Sequence, residues 1–420
     1  MSEGERSEVP RPLRLVLTVF LPFALGFFLS DLYRTVNAVI HEELTAAAGV
    51  APAGLGFLTA AYLGTFAAVQ LPLGLLLDRY GPRRVEAGLL VVAAAGAGLF
   101  AIGDGLAGLA FARGLIGLGV SACLMAAFHA NFLWWPAAWL PFANGCILAF
   151  GGLGALVATT PVAILVSWVG WRAVFAGLAV ATLAVAAAIY AVVPEHPRER
   201  GEPHGLRWQL RGAWQVLTSP VFRRAAPVGF LTQAHFLAYQ GLWAGPWLAE
   251  VAGLDRLAVA DHLLAIAVAM TVGNVIVGWA AARLAARGVP VAATAMGLLA
   301  LYLAVQLPLA LGVTRGAYVL WTAYGFLAAA PMLFYPILST AFRAELAGRV
   351  NTALNFLVFV GAFLIQWGAG VMIELARTLG LEVAAGGHGA ALLAIWALEV
   401  AAFLWFFVPA LRGRGALPAD

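Results

Sequence analysis

Apolar sequence runs from Leu15 to about Ile40, and eleven further apolar runs of about 20 residues follow it, centred near Val69, Ala94, Gly119, Gly154, Leu183, Gln240, Ala269, Leu301, Ala328, Val360 and Val400. A helix of that length spans a hydrocarbon core of about 30 Å. The runs fall into two sixes, separated by one extended polar segment after Pro194 that reads EHPRERGEPHGLRWQLRG. The pattern predicts an all-α membrane protein with twelve transmembrane helices in two six-helix, pseudo-repeated halves. The predicted boundaries are an N-terminal bundle over 1–193, a cytoplasmic linker over 194–219 and a C-terminal bundle over 220–420. Within the linker, the stretch around Trp208 to Trp214 suits an amphipathic piece lying in the membrane interface. The first run is too long for a signal-peptide core and lacks a small-residue cleavage site, so it stays as the first helix.

Composition sharpens this reading. Apolar residues make up 63% of the chain and charged residues 10%, against about 25% charge in a soluble domain. All 24 basic residues are arginine, and the net charge of +4 lies in loops rather than in a nucleic-acid-binding stripe. Eighteen arginines fall in the tail, the even-numbered loops, the linker and the C-terminal end, whereas the opposite loops hold only Arg172, Arg256, Arg315 and Arg377. By the positive-inside rule both termini and the linker face the cytoplasm. Cys123 and Cys146 lie in apolar runs with no framework spacing, so neither a disulfide scaffold nor a metal site is expected. Without lysine there is no Walker lysine and no Schiff base, and no nucleophile motif is present. The chain is not expected to be an enzyme or to hold a cofactor.

Between the second and third runs stands Gly74-Leu75-Leu76-Leu77-Asp78-Arg79-Tyr80-Gly81-Pro82-Arg83-Arg84. Gly81-Pro82 stops one helix, and Arg79, Arg83 and Arg84 put positive charge in a short loop. The pattern G-x-x-x-D-R-x-G-x-R-R resembles the loop signature of the major facilitator superfamily of secondary transporters. Two further stretches are similar to that family: R-x-x-x-G-x-G over Arg113 to Gly119, and Gly170-Trp171-Arg172 leading into the sixth helix. Gly278 to Arg283 resembles a decayed copy of the loop signature, with Ala282 in place of Asp78. The resemblance implies alternating access between the halves and a conformational-gating role for Gly74, Asp78, Arg79, Gly81, Arg83, Arg84 and Arg113. It also implies a multi-pass protein of a bacterial inner membrane, a monomer whose partners are the bilayer, a small-molecule substrate and a coupling proton or other ion. The fifth helix lacks the G-P-x-x-G-G ending of the drug/proton antiporters, and the nitrate/nitrite repeat is missing as well.

Polar side chains inside a span are costly unless they face a partner or a cavity, so they mark the candidate path. The first helix offers Asp31, Tyr33, Arg34 and Asn37; Asp31 and Arg34 are spaced to pair, and Arg34 shares a face with Asn37. The fourth adds His129 and Asn131, with Met125 one turn before His129. The seventh adds Gln233, His235, Tyr239 and Gln240, then Trp243 and Trp247 around Gly245-Pro246, where the helix is expected to break. Asn274, Tyr335 and Asn355 complete the candidate substrate-binding set, with Tyr324, Asn351 and Gln366 as further cavity residues. Glu399, midway along the twelfth helix, has no partner readable from sequence.

The fork of Arg34 suits a carboxylate or other oxyanion, and convergence with His129 from the fourth helix would reinforce it. This points to a secondary transporter of a small anionic solute, whose proton coupling would rest on Asp31, His129, His235 and Glu399. The alternatives are copper import through Met125 and His129, drug or metabolite efflux, and a non-transporting receptor.

Overall fold

The structure is a computed structural model that describes residues 12–136, 139–195, 214–380 and 386–411, and every regular element among them is helical. Ten helices are long and apolar enough to cross a membrane. Two more complete the twelve: 140–169, which contains the shorter apolar helix Phe142–Val157, and 220–250, whose polar residues lower its hydropathy. In chain order the spans are α1 Leu13–Ala38, α2 52–80, α3 82–102, α4 Gly105–Trp134, α5 140–169 and α6 171–192. The second set is α7 220–250, α8 Arg256–Ala285, α9 Val291–Ala310, α10 Ala317–Thr340, α11 Ala344–Thr378 and α12 Gly386–Leu411.

Two hairpins turn at a glycine. Gly81 (φ 77°) separates α2 from α3 and Gly170 (φ 80°) separates α5 from α6, both in a region that a residue with a Cβ rarely adopts. Pro82 then starts α3, where its missing N–H costs nothing. Arg83 donates to the Tyr190 carbonyl at the end of α6, and Arg84 pairs with Glu195, so the loop arginines tie α3 to α6 within one half. The guanidinium of Arg79 lies over the Tyr80 ring. The side chain of Asp78 and the linker stretch Trp208 to Gly212 lie outside the described residues, as does the Ala213 that follows it.

Helices inside each half pack backbone to backbone. A Cβ on Gly117 of α4 would stand 2.2 Å from the Tyr62 carbonyl oxygen of α2, and one on Gly273 of α8 would stand 2.4 Å from the Phe326 carbonyl of α10. Without a hydrophobic drive between helices in lipid, such approaches supply the dispersion that holds a bundle together.

The halves meet through α2 with α11, α5 with α8, and α1 with α7. At the end that the arginine asymmetry places outside, the Ala53 amide donates to Glu374 (3.1 Å), Arg256 pairs with Glu43 at 2.5 Å, and Thr160 bonds Asp261 (3.0 Å). Deeper, Phe66 stacks on Phe359 at 4.1 Å and Asn355 donates to Gln70 (3.2 Å). These contacts hold the two halves together at that end.

The break expected at Gly245-Pro246 is instead a π-helical turn over Tyr239–Trp243, immediately before it. Pro246 has no N–H to return to the carbonyl one turn back. The chain widens ahead of it, and the Ala244 amide reaches Tyr239, five residues back. Gly245 then lies against the Ala38 carbonyl of α1, where a Cβ would sit at 2.2 Å.

Candidate functional site

The last turns of α1 carry the site in the first half. Arg34 Nη2 lies 3.2 Å from Asp31 Oδ1, and the two side chains keep 16% and 11% of their exposure. The pairing leaves Arg34 Nε without a hydrogen-bond partner within the protein. Three residues on, Asn37 is fully buried, and neither its amide nitrogen nor its oxygen is bonded. Buried polar atoms are satisfied in the great majority of cases, so orphans of this kind concentrate where water or a ligand is handled.

A second arginine stands beside this turn. Arg113 of α4 is 1% exposed; it donates to the Tyr33 carbonyl at 2.6 Å and lies 4.8 Å over the ring of Tyr62. Its Nε and Nη1 have no partner, and no carboxylate bonds it among the described residues. Tyr62, held by a bond to the Ser30 carbonyl (3.1 Å), feels the charges of Arg34, Arg113 and Asp31 together. Arg34 and Arg113 thus both act on Tyr62, Arg34 with Asp31 as its partner and Arg113 with no carboxylate bonded to it among the described residues.

Across the interface stands the π turn of α7. Gly241 faces the Arg34 carbonyl, and a Cβ there would be 3.4 Å from it. Gln240 donates to the Met270 sulfur (3.8 Å), but its oxygen, the Tyr239 hydroxyl and the Gln233 oxygen are all buried without partners. Trp243 donates to the Gln366 carbonyl (2.8 Å) and closes the wall against α11. Just outward lies a cavity of about 420 Å³ whose lining includes His41, Leu55, Trp243, Glu250, Arg377 and His388. Outside the spans, burial lowers His41 from the ordinary imidazole value, and its Nδ1 bonds the Ala38 carbonyl at 3.0 Å.

Several predicted site residues stand elsewhere. Tyr33 is wholly buried and its hydroxyl meets Thr182 of α6 at 2.9 Å, because two helical steps from Asp31 turn it to the opposite face. His129 does not converge with Arg34. Arg113 is the α4 residue level with α1's last turns, and sixteen further residues place His129 roughly 24 Å along the axis at about 1.5 Å each. Asn131, lower still, bonds Asn144 of α5 at 2.9 Å. His235 turns away from the seam and into its own half, where its Nδ1 lies 2.9 Å from Glu399 Oε1. Asn274 is exposed. Tyr335 and Asn355 do come together (3.1 Å) and continue to Gln70, so they bridge the halves below Arg34.

Three residues were not singled out from the sequence. Glu86 of α3 is fully buried against Gly26 of α1, with Cys123 beside it. The restart of the helix at Pro82 places it one turn inside α3. Gln70 and Tyr62 sit in α2 among residues whose helical face only the packing defines. Met125 is 37% exposed, and His129 has a partner of its own.

A family model described as Major Facilitator Superfamily matches residues 23–366. The chain is 30% identical over 149 residues to the "Probable sulfoacetate transporter SauU" of Cupriavidus necator, covering 34% of this chain and 33% of that protein. It is 26% identical over 186 residues to the "Hexuronate transporter" of Escherichia coli K12, covering 44% and 42%. The matches therefore span between a third and a half of those relatives. Among solved structures, a bacterial homolog of the human lysosomal transporter Spinster, inward-facing and unoccupied, superposes with a TM-score of 0.78 at 17% identity, over 97% of this chain and all of that one. The D-xylose-proton symporter superposes with a TM-score of 0.73 at 15% identity, over 96% and 99%. At those identities the likeness speaks for the fold alone.

Proposed function

Because the chain belongs to the major facilitator superfamily, we propose that it is a secondary transporter of a small organic anion, with Arg34 as the group that meets the anion. One observation carries the reading: Arg34 and Arg113 stand at one level of the first half, and among the described residues Arg34 alone of the two is paired with a carboxylate, Asp31. An uncompensated charge inside a membrane protein costs several kcal/mol, so such a site gains by accepting an anion. Arg34 is the one with residual exposure, it keeps an unbonded N–H, and its carbonyl meets Gly241 of α7 at the seam. Arg113, buried beneath, contributes field and fixes the backbone of Tyr33 rather than touching solute. Asn37, Gln240 and Tyr239 offer neutral donors and acceptors for hydroxyl or carbonyl groups on the solute. The sulfoacetate and hexuronate named for the two relatives are both anions, which supports the same class.

Transport on this reading proceeds by rocking of the two halves about the Arg34 seam, with both termini on the cytoplasmic side. The contacts that hold the two halves together at the outer end support an inward-facing state for this structure.

The test is thermal unfolding of the purified protein with sulfoacetate and D-glucuronate, against D-glucose and choline as neutral and cationic controls. A ligand at a hundredfold its Kd adds about 2.7 kcal/mol to the folded state. Stabilisation by the anions, lost in Arg34→Gln, is the expected result; stabilisation by the neutral or cationic controls alone would sink the reading.

A further inference from the structure

We infer that His235 and Glu399 form a single proton-binding site, sealed inside the second half, whose occupancy holds the outer seam closed. The inference rests on the reading of the chain as a transporter, but not on the charge of its solute.

The pair joins α7 to α12 with Nδ1 and Oε1 2.9 Å apart, and neither side chain has any exposure. The titratable groups that face it are Tyr239 on α7 itself, Tyr302 on α9 and Tyr324 on α10. Tyr239 sets its ring against the imidazole at 4.7 Å, Tyr324 lies 5.7 Å from it, and Tyr302 stacks on Tyr324 at 5.1 Å. All three feel the Glu399 charge. Phenols at this depth are neutral, and among the described residues no arginine pairs with the carboxylate, whose one basic partner is the imidazole it touches. With one proton on the pair, its net charge is zero, whether as imidazolium and carboxylate or as imidazole and carboxylic acid. Without that proton a bare carboxylate is left in a sealed aromatic pocket, which is the arrangement burial penalises most. At 2.9 Å the imidazole and the carboxyl can hold one proton between them.

His235 Nε2 and Glu399 Oε2 have no protein partner. These are the atoms through which a proton arrives or leaves. Four residues after His235 begins the π turn Tyr239–Trp243 that rests on the Arg34 carbonyl of the opposite half and anchors to α11 through Trp243. A π turn holds one residue more than an α turn, and because it begins one turn after His235, a change at His235 reaches the seam through Tyr239. Proton release strands the Glu399 carboxylate, and the sealed conformation gives way to one that admits water to it.

The test needs no solute, so failure of the anion reading leaves its outcome untouched. Spin labels are placed at Ala46→Cys and Leu257→Cys, on the outer ends of opposite halves, in a background of Cys123→Ala and Cys146→Ala. Their distance distribution is read from about pH 5.5 to about pH 8.5. One proton limits the change in the sealed-to-open ratio to about tenfold per pH unit. A rise of at least about tenfold in the open population is expected over that range in the parent protein. Glu399→Gln, a neutral mimic of the protonated pair, stays sealed throughout. His235→Gln, the second variant should the first not purify intact, moves the midpoint by more than about one pH unit. A pH-independent distance in the parent overturns the inference. So does a Glu399→Gln protein that titrates like the parent, since the response would then belong to another group, such as the buried carboxyls Asp31 and Glu86 of the first half.

Discussion

Each half of the molecule buries one acid–base pair in the membrane, and the two are built for different ends. Asp31 and Arg34 lie 3.2 Å apart on one helix with residual exposure, at the seam; His235 and Glu399 lie 2.9 Å apart on two helices with none. Arginine keeps its charge under any condition a cell offers, whereas histidine gives its charge up near neutrality. At the seam a permanent charge is tolerable, because a solute or water replaces what Asp31 leaves unsatisfied. Inside the second half a permanent charge would be stranded, and a pair able to become neutral together is the one that fits. The contrast suggests a division of labour, with solute met in the first half and the proton kept in the second.

The variant that presses hardest on this contrast is His235→Leu. Removing one member of a fully buried pair costs about 3–5 kcal/mol, because the partner is left uncompensated. Thermal unfolding should register a large loss, and the double variant His235→Leu with Glu399→Met should recover most of it. If the single and double variants unfold alike, the pair is not coupled.

Next in size is Arg34→Gln, read as affinity for the stabilising anion. A lost charge-assisted hydrogen bond costs about 1.5–3 kcal/mol, or roughly ten- to a hundredfold in Kd. Arg34→Lys should fall between, since lysine keeps the charge and loses the fork. Equal affinity in all three proteins would make Asp31 and Arg34 a structural pair and end the division of labour.

Smaller again is the outer seal. The Arg256–Glu43 pair is about a third exposed on the arginine side, so Arg256→Gln should shift the closed-to-open balance by no more than about 1 kcal/mol, and less in high salt. Accessibility of an engineered outer-side cysteine, measured at low and high ionic strength, reads this directly. A salt-independent shift would mean that the seal is not electrostatic.

Much of this architecture was legible in the chain. The twelve apolar runs were countable, the Gly81-Pro82 turn was spelled out, and the Asp31–Arg34 pair followed from helical spacing. What stayed hidden depends on which residues of different helices stand at one level. Arg113 carries no sign in the sequence that it stands beside Tyr33, and His129 none that it lies far below. The partner of Glu399 is 164 positions away on α7, a distance that only the packing of α7 against α12 closes. Glu86 was concealed by its neighbours, since a charge two residues after Arg84 reads as loop until the helix is known to restart at Pro82.

The smallest effect is expected one position from the largest one on solute binding. Tyr33 precedes Arg34, and a single helical step of about 100° separates a side chain at the seam from one in the core of the half. The Tyr33 hydroxyl bonds Thr182 at 2.9 Å, and its ring packs beside Phe175 at 6.2 Å, both on α6. What the solute site draws from Tyr33 is its backbone carbonyl, the acceptor for Arg113, and every residue type supplies that. Tyr33→Phe should therefore cost about 0.5–1.5 kcal/mol of stability for the lost hydrogen bond and leave anion affinity unchanged. Parallel melting curves and ligand titrations separate the two quantities. A fall in affinity to the level of Arg34→Gln would show that the hydroxyl turns toward the seam during transport, and the first-half site would then have to be redrawn around both residues.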